Sequence, residues 1–390
     1  MARLLHRVYR SGTLSIASAS SNISGLNLVY NTRSQRHYQL PVKISRVFST
    51  SSSSISDLAK VLKANNSTTG ERVKAINALG LSSTLDETLK EQHALEILYS
   101  DALGVLLGFL NDSDTIASSD LLIPAFLAII RLSTKTQLTQ HLIKLGALKT
   151  ITPFLTQTDT RLQAAACLVL GNLALEPLAA EAVSSPAVVG AALNVITTTH
   201  EPIKRAACSC IANIASGTQG RREVINQDGV LRMGELLKDE HSDPLRSIAA
   251  FALGNILSGG DIDAQDLLRQ SGALPDLVLL LSEVYAEDVN SSAAWALHHG
   301  VHLNTANQSL LAEAGGLAML AQHIAKAALE SLQTNSLLAL ESAVILNDKN
   351  LNWCRANNAF AVLRRVQEAE GNTLNASAKL ALFTLLEQLK

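Results

Sequence analysis

The 390-residue chain has few of the features that build sheets, disulfide scaffolds or membrane spans. Aromatic residues make up only 4% of it, and long runs that alternate Val, Ile or Thr with polar residues are absent, so we expect little strand. No apolar run reaches the roughly 18 residues of a membrane span. Neither a C-x-x-C pair nor zinc-finger spacing occurs, which favours burial of the four cysteines, Cys167, Cys208, Cys210 and Cys354.

Sequence motifs of catalysis are also missing. The chain contains no G-x-x-x-x-G-K-[ST] phosphate loop, no G-x-G-x-x-G after a strand and no G-x-S-x-G nucleophile elbow. Adjacent carboxylates such as Asp86-Glu87 fall in predicted loops or helix starts, where helix capping accounts for them. We therefore expect no enzymatic activity, no cofactor and no small-molecule substrate.

Acidic residues are absent from the first fifty positions, which contain seven Lys and Arg residues. The opening MARLLHRVYR places arginines three or four residues apart, which on a helix gives a basic amphipathic face, and a Ser-rich tract follows. This composition predicts an organellar transit peptide over residues 1–48. Arg46, Phe48 and Ser49 match the order of arginine, aromatic and small residue that is typical of a plant mitochondrial processing site, so we predict cleavage after Phe48.

A mitochondrial matrix protein is therefore expected, with a chloroplast address and a disordered basic tail as the other interpretations of this segment. Residues 49–56 are predicted to form a Ser-rich linker. Residues 51–390 carry a formal net charge of −9, because the seven positive charges are subtracted from a total of −2. An acidic body argues against nucleic acid as the partner.

One motif occurs three times in the middle of the chain. It reads LQAAACLVLGNLA, then IKRAACSCIANIA, then LRSIAAFALGNIL. Its asparagines, Asn172, Asn213 and Asn255, are 41 and 42 residues apart. A fixed period of this size indicates a solenoid of stacked helical units.

A second pattern, a small or turn-forming residue followed by an apolar helix, recurs in the same register. Its copies begin at Asp101, Gly146, Pro186, Gly229, Gly272, Gly315 and Asn358. Glu201-Pro202 and Asp243-Pro244 then mark the start of a third helix, because an N-cap followed by proline is favoured there. We predict an all-α chain with a helical cap at 57–84 and three-helix units at 85–134, 135–175, 176–216, 217–258, 259–303, 304–346 and 347–390.

A unit of about 42 residues, with GAL opening the second helix and ALGNI-type sequence closing the third, resembles the armadillo repeat. The resemblance covers residues 85–390 and is strongest from 135 to 320. HEAT repeats are the second choice, because they have two helices and lack both the third-helix asparagine and the Gly-led second helix. The resemblance implies a right-handed solenoid of six to seven units, whose third helices line a concave groove that binds a partner.

In importin-type grooves of this family, Trp and Asn lie four residues apart, and the Asn amide holds the backbone of an extended peptide. In the corresponding slots of this chain Trp occurs once, paired with a histidine instead of Asn, so the groove for basic cargo is not reproduced. The asparagine row either binds an extended segment or stabilises helix ends and neighbouring loops, and both hypotheses stay open. The Asn slot contains Arg131, Asn172, Asn213, Asn255, His299 and Ser342, and the slot four residues earlier contains Leu127, Leu168, Ser209, Phe251, Trp295 and Leu338.

Positive residues also recur near the starts of third helices. Lys204 and Arg246 are equivalent positions, with Arg205 beside the first. Positive charge there opposes the helix dipole, so either an acidic ligand offsets it or the side chains form a solvated face.

Three histidines follow the single third-helix tryptophan. His298 and His302 are one helical turn apart, as in some metal sites, but no accompanying Glu or Cys is predicted and Gly300 lies between them. We therefore expect no metal, and interpret the histidines as part of a groove-lining cluster with Trp295.

These observations predict a non-enzymatic scaffold or assembly adaptor in mitochondria, which binds an extended segment or a helix of another protein. The alternatives are a cytosolic or nuclear importin-like cargo adaptor, which would keep residues 1–50, and an organellar RNA-binding helical-repeat protein. The predicted partner-binding residues are Asn172, Asn213, Asn255, Phe251, Trp295, His299, Lys204, Arg205 and Arg246.

Overall fold

The computed structural model describes residues 54–64, 66–82, 87–112, 120–368 and 374–389, with side chains from residue 92 onward in the helix that begins at 87. Within these ranges there are 23 α-helices, one 3-10 turn and no strand, which confirms the predicted all-α class. They belong to one compact unit, Ser53–Lys390. The predicted transit peptide and its processing site at Arg46, Phe48 and Ser49 lie outside the described residues.

Two helices, α1 (Ile55–Lys63) and α2 (Thr69–Ser82), form the N-terminal cap. Helix α1 begins two residues earlier than predicted because the Ser54 hydroxyl caps it and accepts from the Asp57 backbone N–H at 3.2 Å. Before α2, Thr68 and Glu71 form a reciprocal capping box, in which the Thr68 N–H donates to the Glu71 carboxylate at 2.8 Å.

After the cap, each of the seven predicted units contains three helices. The first helices are α3 (Glu87–Tyr99), α6 (Thr136–Lys144), α9 (Pro177–Val183), α12 (Thr218–Asn226), α15 (Ile262–Gln270), α18 (Thr305–Glu313) and α21 (Asp348–Ala356). The second helices are α4 (Ala102–Asn111), α7 (Ala147–Ile151, continued by the 3-10 turn Thr152–Thr156), α10 (Pro186–Val195), α13 (Gly229–Glu235), α16 (Ala273–Leu279), α19 (Gly316–Lys326) and α22 (Ala359–Glu368). The third helices are α5 (Leu122–Leu132), α8 (Thr160–Ala174), α11 (Glu201–Ile214), α14 (Asp243–Leu257), α17 (Glu287–Val301), α20 (Glu330–Val344) and α23 (Ala376–Leu389).

The turn before the second helix explains the second sequence pattern. A residue with positive φ precedes the helix in every unit except 176–216, where Pro186 opens α10 from an extended Ser185. In the unit 217–258 the residue with positive φ is Asp228 (φ 61°). It lies one position before Gly229, the residue at which the sequence pattern begins. Gly229 is needed for a different reason, since a Cβ there would lie 2.3 Å from Val224 Cγ1.

Third helices pack side by side along the chain, from α2 of the cap through α5 to α23, and bury the core between them. Helix α14 has every residue from Leu245 to Leu257 buried. Alanine and glycine in these helices allow close approach: a Cβ on Gly171 would lie 3.1 Å from the Cys210 Cα of the next third helix. All four cysteines are free and buried, and burial raises the pKa of Cys208 to about 12.

Candidate functional site on the third helices

The Asn slot and the slot four residues before it lie on one face of each third helix, because residues four apart are separated by about one turn. We call this face, from α5 to α20, the third-helix surface. Phe251 and Ser209 are only 5% and 8% exposed on it. The other four members of the earlier slot are partly exposed: Leu127, Leu168, Trp295 and Leu338.

The three asparagines form a ladder between successive third helices. Their amide nitrogens donate to backbone carbonyls of the preceding unit, Asn172 to Ile130 at 3.3 Å, Asn213 to Gly171 at 3.1 Å and Asn255 to Ala212 at 2.9 Å. All three side chains are between 4% and 6% exposed. This geometry is the one that the stabilising hypothesis describes, whereas binding of a partner by the same residues stays a prediction.

Removing one rung of this ladder tests its contribution to stability. We expect Asn213→Ala to lower the free energy of unfolding by about 1–2 kcal/mol, because the Gly171 carbonyl loses its side-chain donor in a buried site. Urea denaturation followed by circular dichroism measures the change. Asn226→Ala, at an exposed position on α12, is the matched control, and equal stability of the two variants would contradict the prediction.

The indole of Trp295 is fixed by the last rung of the ladder. Its Nε1 donates to the Asn255 Oδ1 at 3.1 Å, so both polar atoms of that carboxamide are engaged within the solenoid. The ring lies against Gly254, where a Cβ would be 2.1 Å from Trp295 Cδ1. The glycine before Asn255 is therefore required by the tryptophan of the next unit.

A histidine cluster continues from this tryptophan. The His299 ring meets Trp295 edge-on with centroids 4.3 Å apart, and the His298 ring lies 4.4 Å from His299. Burial lowers the pKa of His298 to about 4 and also lowers the pKa values of His299 and His302. These rings are therefore neutral near pH 7. In the part of the chain that the structure describes, no three His, Cys, Asp or Glu side chains are placed to hold one metal ion.

The three predicted cations have different surroundings. Lys204 and Arg205 are partly exposed near the start of α11. Arg246 is only 7% exposed and donates to Asp239 at 2.8 Å and to Asp243 at 2.5 Å. Its guanidinium also lies 4.8 Å from the centroid of the Tyr285 ring. These groups offset the charge of Arg246 within the protein and hold it at the start of α14, and binding of a partner by Arg246 stays a prediction.

Two polar rows were not recognised from the sequence. The first caps the ends of third helices from the first helix of the same unit: Gln265 Nε2 donates to the carbonyls of His299 and His302 at 2.8 and 3.1 Å. Gln308 and Arg221 make corresponding bonds in their own units. The residue types differ along the row, so the sequence pattern alone did not reveal it.

The second row joins neighbouring units through buried asparagines of first helices. Asn307 Nδ2 donates to the Gln265 and Gly300 carbonyls at 2.8 and 2.7 Å. Asn350 Nδ2 makes the same pair of bonds one unit later, to the Gln308 and Ala343 carbonyls. This row stabilises the stacking of units on the side of the first helices.

Within the described ranges, no single helix is long and apolar enough to cross a membrane, whereas two pairs of adjoining helices pass that test together but are sharply bent. These pairs are Gln92–Tyr99 with Ala102–Asn111, and Pro177–Val183 with Pro186–Val195.

Comparison with known proteins agrees with this architecture. Importin subunit alpha-1b of Oryza sativa subsp. japonica is 32% identical over 163 residues, which are 42% of this chain and only 30% of that protein. An engineered protein of known structure superposes with a TM-score of 0.66 at 21% identity, covering 87% of this chain and 86% of its own. A computationally designed armadillo repeat protein for modular peptide recognition gives a TM-score of 0.52 at 24% identity, covering 62% and 99%.

No family model matches the sequence. The repeat period, the helix triplets and these likenesses nevertheless agree with one another, and three helices per unit exclude the two-helix HEAT alternative. The chain therefore has the armadillo-repeat fold.

Proposed function

We propose that this protein is a non-enzymatic scaffold that binds an extended segment of another protein along the third-helix surface. The observation that carries the proposal is the row of partly exposed apolar side chains at Leu127, Leu168, Trp295 and Leu338, on helices whose other faces are buried. Exposed apolar surface that continues along one face marks interaction sites in other proteins, and these side chains lie on one face of the solenoid. The designed protein for modular peptide recognition, which shares this fold, supports the same use.

Spacing favours an extended segment over a compact ligand. Neighbouring third helices pack about 8–10 Å apart, and an extended chain covers this distance with about three residues. A segment of roughly 15 residues would therefore cross the surface from α5 to α20 and meet each helix in turn. With much of the asparagine ladder used between units, the slot four residues earlier provides most of the contact area.

Site-specific photocrosslinking tests this proposal. A benzophenone amino acid at Leu168 of the full chain is expected to form adducts with a partner protein in isolated mitochondria. The same group at Leu178, which is 63% exposed on α9, is the matched control and is expected to form none of these adducts. Leu127→Gln together with Leu168→Gln should reduce recovery of that partner about tenfold, as expected for two lost apolar contacts. Equal adducts at both positions would exclude the third-helix surface.

We further propose that the scaffold acts in the mitochondrial matrix. The support is the acid-free, arginine-containing segment 1–48 and the Arg46, Phe48, Ser49 pattern at its end. A fluorescent fusion of the full chain is expected in mitochondria, and a fusion that begins at Ser49 is expected outside them. N-terminal sequencing of the native protein should give Ser49, and an intact Met1 would contradict import with cleavage.

A nuclear or cytosolic cargo adaptor is the second candidate, because the likeness to an importin subunit favours it. The slots argue against basic cargo of the importin type, since tryptophan occupies one of six positions and does not pair with asparagine on its own helix. Nuclear fluorescence of the full-chain fusion would favour this candidate.

Organellar RNA binding is opposed by the net charge of −9 over residues 51–390, and salt-sensitive retention of RNA would support it.

A further inference from the structure

Charge is divided unequally along the third-helix surface. Helices α5, α8 and α11 contain four cations, whereas α17 and α20 contain four acids and neither Lys nor Arg. Helix α14, between them, contains the Asp243–Arg246 ion pair. The only acid of α5, α8 and α11 is Glu201, whose carboxylate accepts from the Ser242 hydroxyl of the next unit. The four cations are Arg131, Arg161, Lys204 and Arg205.

Three of these cations form no ion pair within the described residues. Within residues 54–389, apart from the undescribed positions, no carboxylate forms an ion pair with Arg131, Lys204 or Arg205; Arg161 pairs with Asp159 at 2.7 Å. Arg131 is the most constrained, since it occupies the Asn slot of α5 and its Cδ packs near Gly80 of α2. Burial alone lowers its pKa. A partly desolvated guanidinium without a counter-ion gains more from an external carboxylate than a fully solvated one does.

The acids at the other end are used differently. Glu287 accepts from the backbone N–H groups of Ala328 and Leu329 at 2.9 and 2.8 Å, so it caps the following unit. Glu341 lies against α23 and burial raises its pKa, which disfavours a charged, ligand-binding role. Two of the four acids are therefore engaged within the protein, and the cations of α5, α8 and α11 determine the ligand charge that this end of the surface favours.

We infer that the third-helix surface from α5 to α11 binds an acidic stretch of an extended protein segment, an inference that rests on the proposed function. Arg131 and Arg205 lie on third helices two apart, roughly 20 Å across the helix row and about two helical turns along it. An extended chain spans this diagonal with roughly seven residues. Leu168 lies on the helix between them, so the segment has an apolar residue between two acidic ones.

Fluorescence anisotropy with the purified full chain tests the inference. The probes are three labelled twelve-residue peptides that repeat Glu-Leu-Glu-Ser, Gln-Leu-Gln-Ser or Lys-Leu-Lys-Ser. We expect the acidic peptide to bind at least about tenfold more tightly than the neutral one at low salt, and raising NaCl from about 50 to about 300 mM to remove most of this preference. Arg131→Gln with Arg205→Gln should abolish the preference for the acidic over the neutral peptide.

Matched controls separate this inference from general charge attraction. Lys144→Gln with Arg222→Gln removes two exposed cations from first helices and should leave the preference for the acidic peptide unchanged. The basic segment 1–48 is present in every variant, so it does not contribute to differences between them. Arg205→Gln alone, at a partly exposed position, should reduce the preference about threefold and serves if the Arg131 variant fails to fold. If the neutral or basic peptide binds more tightly than the acidic one and Leu168→Gln weakens that binding, the inference of an acidic ligand is wrong and the proposed function is still supported. Failure of all three peptides to bind would count against both.

Discussion

Replacing Asn307 by leucine is expected to lower the free energy of unfolding by about 3 kcal/mol. The Asn307 amide donates to the Gln265 and Gly300 carbonyls, and the side chain is 0% exposed, so water cannot replace the lost donors. Each buried group left without a partner costs about 1–3 kcal/mol. Part of this free-energy cost is offset, because the substitution also removes the Asn307 Oδ1, which is buried and has no hydrogen-bond partner in the described residues. Urea denaturation at pH 7 measures the difference.

Asn226→Leu, at an exposed position on α12, provides the control and should change stability by less than about 0.5 kcal/mol. Because units of a solenoid contact only their neighbours, the loss should weaken the junction between the units 259–303 and 304–346 before it affects the α5 to α11 region. Hydrogen exchange would show this as faster exchange in α15 and α18 than in α8. A variant as stable as wild type would contradict a structural role of the buried asparagine row.

The repeat sequence predicted the architecture because its signals are local and periodic. Glycine and asparagine at a fixed period marked the third helices, and Glu-Pro or Asp-Pro marked their starts. The same signals did not predict what each side chain contacts. The Asn213 amide could face a ligand or the preceding unit, and only the packed backbone shows that it donates to Gly171.

Contacts that depend on a residue from another element could not be predicted from the sequence. The sequence left an acidic ligand and a solvated face as the two hypotheses for Arg246, because Asp239 and Tyr285, which contact it, belong to other segments. The row that caps third-helix ends was not predicted, because Arg221 and Gln265 donate to equivalent carbonyls with different side-chain types. The partner residues of the third-helix surface remain predictions for the same reason, since their contacts lie on another protein.

Lowering the pH from 7 to 4.5 is expected to destabilise the protein by up to about 2.5 kcal/mol through His298 alone. Burial lowers the pKa of His298 to about 4 in the folded protein, against about 6.5 in an unfolded chain. Between these values the unfolded chain takes up a proton that the folded protein does not, so stability is complete above about pH 6.5 and is lost as the pH falls towards 4. The figure is an upper bound, because His298 is partly exposed.

Neighbouring groups modify this profile in opposite directions. Lowered pKa values at His299 and His302 add to the loss of stability, whereas the raised pKa of Glu341 favours the folded protein as that carboxyl becomes protonated.

His298→Asn tests the contribution of His298. It keeps a donor near the Nδ1 position, which in wild type lies 3.1 Å from the Leu338 carbonyl, and removes the titrating ring. Urea denaturation from pH 8 to 4.5 should show a shallower loss in His298→Asn than in wild type, while His200→Asn, at an exposed position before α11, should keep the wild-type profile. Parallel stability profiles for wild type and His298→Asn would contradict the prediction, because they would mean that His298 is protonated equally in the folded and unfolded states. The packing of Trp295, His299 and His298 would then be less complete than the ring contacts indicate.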